Sequence, residues 1–194
     1  MADPAVRRAG YEDVLAAPAH MIAEVLGGQL HLQPRPAKPH AAAASALGEE
    51  LGPPFKRGRG GPGGWLILDE PELHLLGDIL VPDLAGWRRA RMPAIVADEA
   101  YFVLAPDWIA EVVSPSSAKY DRTDKLAIYA RERVGWVWII DPIVRTLEVL
   151  VLDESGWRLS GAWRDDARVR AQPFDAIELD LAILWADVVL PPAR

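Results

Sequence analysis

The stretch Ala105-Pro106-Asp107-Trp108-Ile109-Ala110-Glu111-Val112-Val113 decides the architecture, together with the two segments after it, 121–133 and 136–140. Residues 108–113 are apolar apart from Glu111 and begin after a Pro-Asp pair, which reads as a strand. Residues 121–133 place Leu126, Tyr129, Ala130 and Val134 on one stripe and stop at Gly135, which reads as a helix. Trp136-Val137-Trp138-Ile139-Ile140 is continuously apolar, the mark of a strand covered on both faces. Strand, helix and strand make a βαβ crossover, so segments 108–113 and 136–140 are predicted to be parallel.

Working outward, residues 11–17 read as a short helix that stops near Pro18. Residues 22–32 read as two strands joined at the turn pair Gly27-Gly28. Residues 41–51 are Ala-rich with Leu47 and Leu51 four apart, a helix that ends before Gly52-Pro53-Pro54. The basic, glycine-rich stretch 56–64 reads as a flexible loop, either a plain connection or a phosphate-touching arm. Strands are expected at 65–68, 79–87, 108–113, 136–140, 146–152 and 157–163, and segment 178–185 as a last helix or strand. No repeat interrupts this order, so residues 1–194 are expected to form one domain.

Composition narrows the chemistry. The 194 residues are 51% hydrophobic and 25% charged, a globular balance. With no cysteine, thiol nucleophiles, disulfides and Cys-zinc sites are excluded. The start Met1-Ala2-Asp3-Pro4 lacks a basic region followed by an apolar run, and no segment approaches the ~20 apolar residues of a membrane span. A soluble, cytoplasmic protein with no membrane partner is expected. The net charge of −7 counts against a binder that holds phosphates by charge alone. P-loop, serine-hydrolase-elbow and dinucleotide signatures are all missing. Nor do His20, His31, His40 and His74 form a zinc-ligand pair.

What remains is carboxylate chemistry. Alternation puts Asp107, Ile109, Glu111 and Val113 on one face of their strand. Asp107 and Glu111 are then ~13 Å apart, too far to share an ion bound at ~2.1 Å. Asp83, after Ile79-Leu80-Val81-Pro82, is the natural partner for Glu111 if the two strands are neighbours. Glu111 among apolar residues must be protonated, bound to a metal, or paired with an arginine such as Arg122 or Arg131. Lys125 comes next, on the first turns of the helix, with Asp121 and Tyr129 four residues to either side. It is placed either to reach over the strand end or to pair with Asp121 in solvent. Asp107 reads as a turn residue. Arg88, Arg89 and Arg91, with Lys56, Arg57 and Arg59, are candidate contacts to a phosphate backbone, or solvated surface.

In order, Pro82-Asp83, Pro106-Asp107 through Glu111-Val112-Val113, Asp121 through Lys125 to Tyr129, and Gly135 through Asp141-Pro142 resemble the Uma family of restriction-endonuclease-like proteins. Ala23-Glu24-Val25-Leu26-Gly27-Gly28-Gln29-Leu30 is similar to that family's N-terminal hairpin segment, and His40 stands where the family has a histidine. The resemblance covers roughly 11–152. It implies an α/β (mixed α+β) restriction-endonuclease-like fold: a central mixed sheet flanked by helices, with an N-terminal β-hairpin. It further implies Mg²⁺ or Mn²⁺ held by Glu24, Asp83 and Glu111. Val113 stands where the wider nuclease motif has lysine, and Lys125 fits the position to which the family's lysine has moved. His40, Arg88, Arg89, Asp121 and Tyr129 complete the expected substrate-binding set. The implied activity is hydrolysis of DNA phosphodiesters by a homodimer. A nuclease-fold binding module without turnover, and a hydrolase of another phosphate ester, are the alternatives.

Overall fold

The computed structural model describes residues 7–98, 100–114 and 117–189. Residues 1–4, on which the reading of no leader rested, lie outside that set. The chain opens with α1 (Tyr11–Leu15) and the hairpin β1 (Met21–Leu26) and β2 (Gln29–Pro34), followed by α2 (Lys38–Leu51) and a π-helical turn, Gly52–Lys56. Then come β3 (Trp65–Asp69), β4 (Leu73–Leu75), β5 (Asp78–Leu80), β6 (Leu84–Arg88) and β7 (Trp108–Val112). One continuous helical segment is next: α3 (Ala118–Tyr120), a π-helical turn (Asp121–Lys125) and α4 (Leu126–Arg131). The C-terminal part holds β8 (Trp136–Asp141), β9 (Thr146–Asp153), β10 (Gly156–Arg164), the short β11 (Arg168–Val169) and β12 (Leu179–Asp180), and a 3₁₀ helix, Leu181–Trp185.

The central sheet has six strands in the order β10-β9-β8-β7-β6-β3. Of its neighbouring pairs, β7 and β8 run parallel, as the crossover predicts, and the others are antiparallel. The pleat divides the side chains of β7 between two cores. Trp108, Ala110 and Val112 face a layer made by α2 and the C-terminal segment, where Phe174 meets Phe55, Trp65, Trp108 and Trp138 at ring-centre distances of 4.6–5.7 Å. Ile109 and Val113 face the other layer, formed by α4 and a second sheet of four strands, β2-β1-β5-β4.

That second sheet corrects the expectation of one strand over 79–87. The run is two strands in different sheets, β5 and β6. Pro82 has no N–H to give to a ladder and breaks the pairing. The link Val81-Pro82-Asp83 therefore carries the chain from one sheet to the other, and the candidate site residues gather at this crossing. The helix expected over 121–133 contains a π-helical turn at its start. Segment 178–185 is both expected things in sequence, a two-residue strand and then a 3₁₀ helix. The stretch 56–64 doubles back on Pro54, closed by backbone bonds from Arg57 N–H to Gly52, Arg59 N–H to Pro53 and Gly63 N–H to Pro54 at 2.8–3.1 Å. Among the described residues no helix is long and apolar enough to cross a membrane.

Candidate active site

The β6–β7 ladder pairs Leu84 with Ala110, so one step further along the register sets Asp83 opposite Glu111. Asp83 is fixed from two sides. Its Oδ2 accepts a hydrogen bond from Val112 N–H at 2.7 Å, and its Oδ1 lies 2.5 Å from His40 Nε2 on the first turn of α2. Val81 N–H, on the other side of Pro82, donates to Glu24 Oε1 at 2.8 Å. The inter-sheet link thus ties one carboxylate from each sheet to the same crossing.

Lys125 is the centre of the cluster. Its Nζ lies 3.0 Å from Glu24 Oε1, 3.2 Å from Asp121 Oδ1 and 3.4 Å from both oxygens of Glu111. Lys125, Glu24, Glu111 and Asp121 are each only 1–3% exposed. Tyr129 donates its hydroxyl to Glu111 Oε1 at 2.5 Å. The helix thus presents Asp121, Lys125 and Tyr129, spaced four apart, as a polar buried stripe. Arg122 and Arg131, the arginines that would have neutralised Glu111, are engaged elsewhere, with Glu148 and Asp78.

Such a cluster is held together by compensation. Burial pushes the Glu111 carboxyl well above the usual range, helped by Asp121, Asp83 and Glu24 and opposed by Lys125. Burial alone would strip the proton from Lys125. The surrounding Glu111, Glu24, Tyr129 and Asp121 outweigh it and hold the amine above its ordinary value, as an ammonium. Burial and Glu111 likewise raise the Tyr129 phenol, which stays neutral and donates.

Asp83, Glu111, Asp121, Lys125 and His40 line one small cavity of about 100 Å³. Among the described residues no group of three or more His, Asp or Glu side chains is arranged to hold a metal ion. Mg²⁺ does not demand such a cage: it keeps several waters and takes one or two carboxylates plus substrate phosphate oxygens. Asp83 and Glu111, hard oxygen donors opening on a shared polar cavity, fit that pattern. Glu24 does not line the cavity; its oxygens are taken by Val81 N–H, Lys125 and Gln33 Nε2 at 3.1 Å.

Of the expected residues, then, Glu24, His40, Asp83, Glu111, Asp121, Lys125 and Tyr129 meet in one cluster. Arg88 and Arg89 do not join it. Arg88 ends β6 at the opposite end from Asp83, its guanidinium 4.6 Å from the centre of the Trp65 ring, and Arg89 donates to Pro93 O. Asp107 is a turn residue, accepting from Arg88 N–H at 2.7 Å and pairing with Arg91. Gln33 was not anticipated. The β1–β2 register pairs Glu24 with His31, so Gln33 lies two residues along on the same face, and counting outward from Gly27-Gly28 identifies it.

The model of the Uma2 family, described as a putative restriction endonuclease, matches residues 11–183. A solved structure from Anabaena variabilis ATCC 29413, described as a putative nuclease belonging to DUF820, aligns with a TM-score of 0.74 at 21% identity. The alignment covers 92% of this chain and 98% of that one. At that identity the likeness is one of fold. No curated protein matches the chain.

Proposed function

The chain belongs to the Uma2 family, and from this membership and the meeting of Asp83, Glu111 and Lys125 we propose that it is a divalent-metal-dependent endonuclease hydrolysing DNA phosphodiester bonds. The observation that carries the reading is the buried approach of an ammonium to carboxylates at the crossing between the two sheets. Asp83 and Glu111 would hold Mg²⁺ or Mn²⁺, with Glu24 acting behind them through Lys125. When bound, the ion supplies a more acidic water and neutralises charge on the scissile phosphate.

The protein's own groups do the positioning. His40 and Val112 N–H fix both oxygens of Asp83, and Tyr129 fixes one oxygen of Glu111. Lys125, held by Glu24 and Asp121, orients the attacking water or stabilises the negative charge that gathers in the transition state. Arg88 and Arg89 are proposed as distant backbone contacts, and a two-fold dimer would supply the second site needed to cut both strands. We place this activity in the cytoplasm.

A second reading has its own support. Lys125 sets a positive charge of the protein's own among three carboxylates, which suits a nuclease fold retained as a binding module without turnover. Plasmid DNA decides between them, incubated with wild type, Glu111→Gln and Lys125→Ala, with and without Mg²⁺ or Mn²⁺. The nuclease reading expects metal-dependent nicking by wild type alone. Wild type that neither nicks DNA nor shifts its melting temperature with metal would leave the binding module.

A further inference from the structure

A larger groove of about 680 Å³ adjoins the catalytic cavity; His40 and Asp83 line both. It runs along α2 and ends at Lys56 and Arg57, which belong to the π-helical turn and the glycine-rich loop beyond it. From His40 to Lys56 is sixteen residues of nearly continuous helix, roughly 24 Å at the usual rise per residue.

The loop is built to present charge. Its three backbone bonds to Gly52, Pro53 and Pro54 fold it tightly against the helix end. Gly58, Gly60, Gly63 and Gly64 have positive φ, and a Cβ on Gly61 would stand 2.5 Å from Pro54 Cβ. Glycine adopts these positive φ values without steric cost, and at Gly61 it leaves room for Pro54. The cations it carries, Lys56, Arg57 and Arg59, have no side-chain hydrogen bond or ion pair among the described residues. The neighbouring arginines differ in this respect: Arg88 lies over Trp65, Arg89 is bound to Pro93 O and Arg91 is paired with Asp107. Because the loop is already folded, no backbone has to be ordered when these cations meet an anion.

Resting on the nuclease reading, we infer that Lys56, Arg57 and Arg59 are the phosphate-binding end of the substrate track. They hold the backbone of the same nucleic acid whose scissile phosphate lies at Asp83 and Glu111. At 3.4 Å per base pair, the two ends are about seven base pairs apart along a duplex. The intervening wall carries Glu49, Asp69 and Glu70, so the polyanion is gripped at the loop rather than along the whole groove.

The test is binding of a fluorescent 20-base-pair duplex to Glu111→Gln protein, followed by anisotropy between 50 and 200 mM NaCl. Three phosphate contacts contribute about 2.7 to the slope of log affinity on log salt, a roughly 40-fold change across that range. Adding Lys56→Ala, Arg57→Ala and Arg59→Ala together to that protein is expected to remove that slope, and the same three substitutions in the wild-type background to raise KM for plasmid nicking with kcat kept. Arg164→Ala, on the edge strand β10, is expected to change neither. Unchanged affinity and slope in the triple variant, with wild type still nicking, overturns the inference alone. Loss of the slope in a protein whose wild type never nicks overturns the nuclease reading and leaves this surface standing.

Discussion

Replacing Lys125 with methionine keeps most of the side-chain volume and deletes the charge that three buried carboxylates share. Nζ lies 3.0–3.4 Å from Glu24, Asp121 and Glu111, and the side chain is 4% exposed, so bulk solvent does not replace its charge. Removing one partner from a buried pair costs about 3–5 kcal/mol, because the other is left uncompensated. For a chain of this size each kcal/mol moves Tm by about 2–4 °C, so Lys125→Met is expected to melt ~6–20 °C below wild type at pH 8. The pH dependence comes from Glu111, whose folded pKa is raised. A carboxyl raised in the folded state favours folding below its unfolded value near 4.5 and loses that contribution as pH rises through the folded value. With the ammonium gone this effect grows, so the gap to wild type should narrow as pH falls from 8 toward 5. Mg²⁺ should also raise the Tm of the variant more than that of wild type, since it offers charge where Lys125 no longer does. Differential scanning fluorimetry across pH and Mg²⁺ concentration reads all three. A Tm within 1 °C of wild type at every pH would refute the view that this ammonium holds the cluster together.

Three other perturbations test separate parts of the structure. The ion-pair contribution of Lys125 is complete below 10.5 and is lost as pH rises through its higher folded value; Tyr129, neutral in the fold, opposes ionisation from pH 10 upward. Stability should therefore fall above pH 10, and Tyr129→Phe should remove the latest-titrating phenol from the ultraviolet titration. His40→Ala should weaken metal-dependent nicking about 10–100-fold through loss of its contact to Asp83, with partial recovery in His40→Gln, measured alongside metal affinity by calorimetry. Phe174→Ala empties the aromatic cluster on the far face of the sheet and should cost about 3–5 kcal/mol in urea unfolding, with kcat of the remaining folded protein unchanged.

The central sheet was legible because its signals are local and agree with one another. The apolar runs around Ile109 and Val137, the helical segment between them and the stop at Gly135 all point to one parallel crossover, and β7 pairs with β8 in that sense. Of the four-stranded sheet only the hairpin β1–β2 was legible. Its β4 and β5 are three residues each, too short to show alternation, and Ile79-Leu80-Val81 reads on through Pro82 as if one strand continued. The proline was the available signal. It marks the change of sheet, and it is also why Glu24 and Asp83, from different sheets, end at one place.

The site shows the opposite pattern: its members were legible and their division of labour was not. Spacing alone leaves Lys125 either reaching over the strand end or paired with Asp121 in solvent, one position off the apolar stripe that runs through Leu126. The π-helical turn Asp121–Lys125 holds one residue more per turn than an α-helix and rotates the rest of the helix by about 100°. Lys125 is buried with Ile128 and Tyr129 while Leu126 is left half-exposed, so the inward face lies one position before the stripe that Leu126 would extend. Once Lys125 faces inward it needs anions, and Glu24, Glu111 and Asp121 are what surround it. Lys125 therefore does not hang over the site from a helix. It is built into the wall beside Asp121, where Asp83 and Glu111 line the same cavity and Glu24 holds the ammonium from behind.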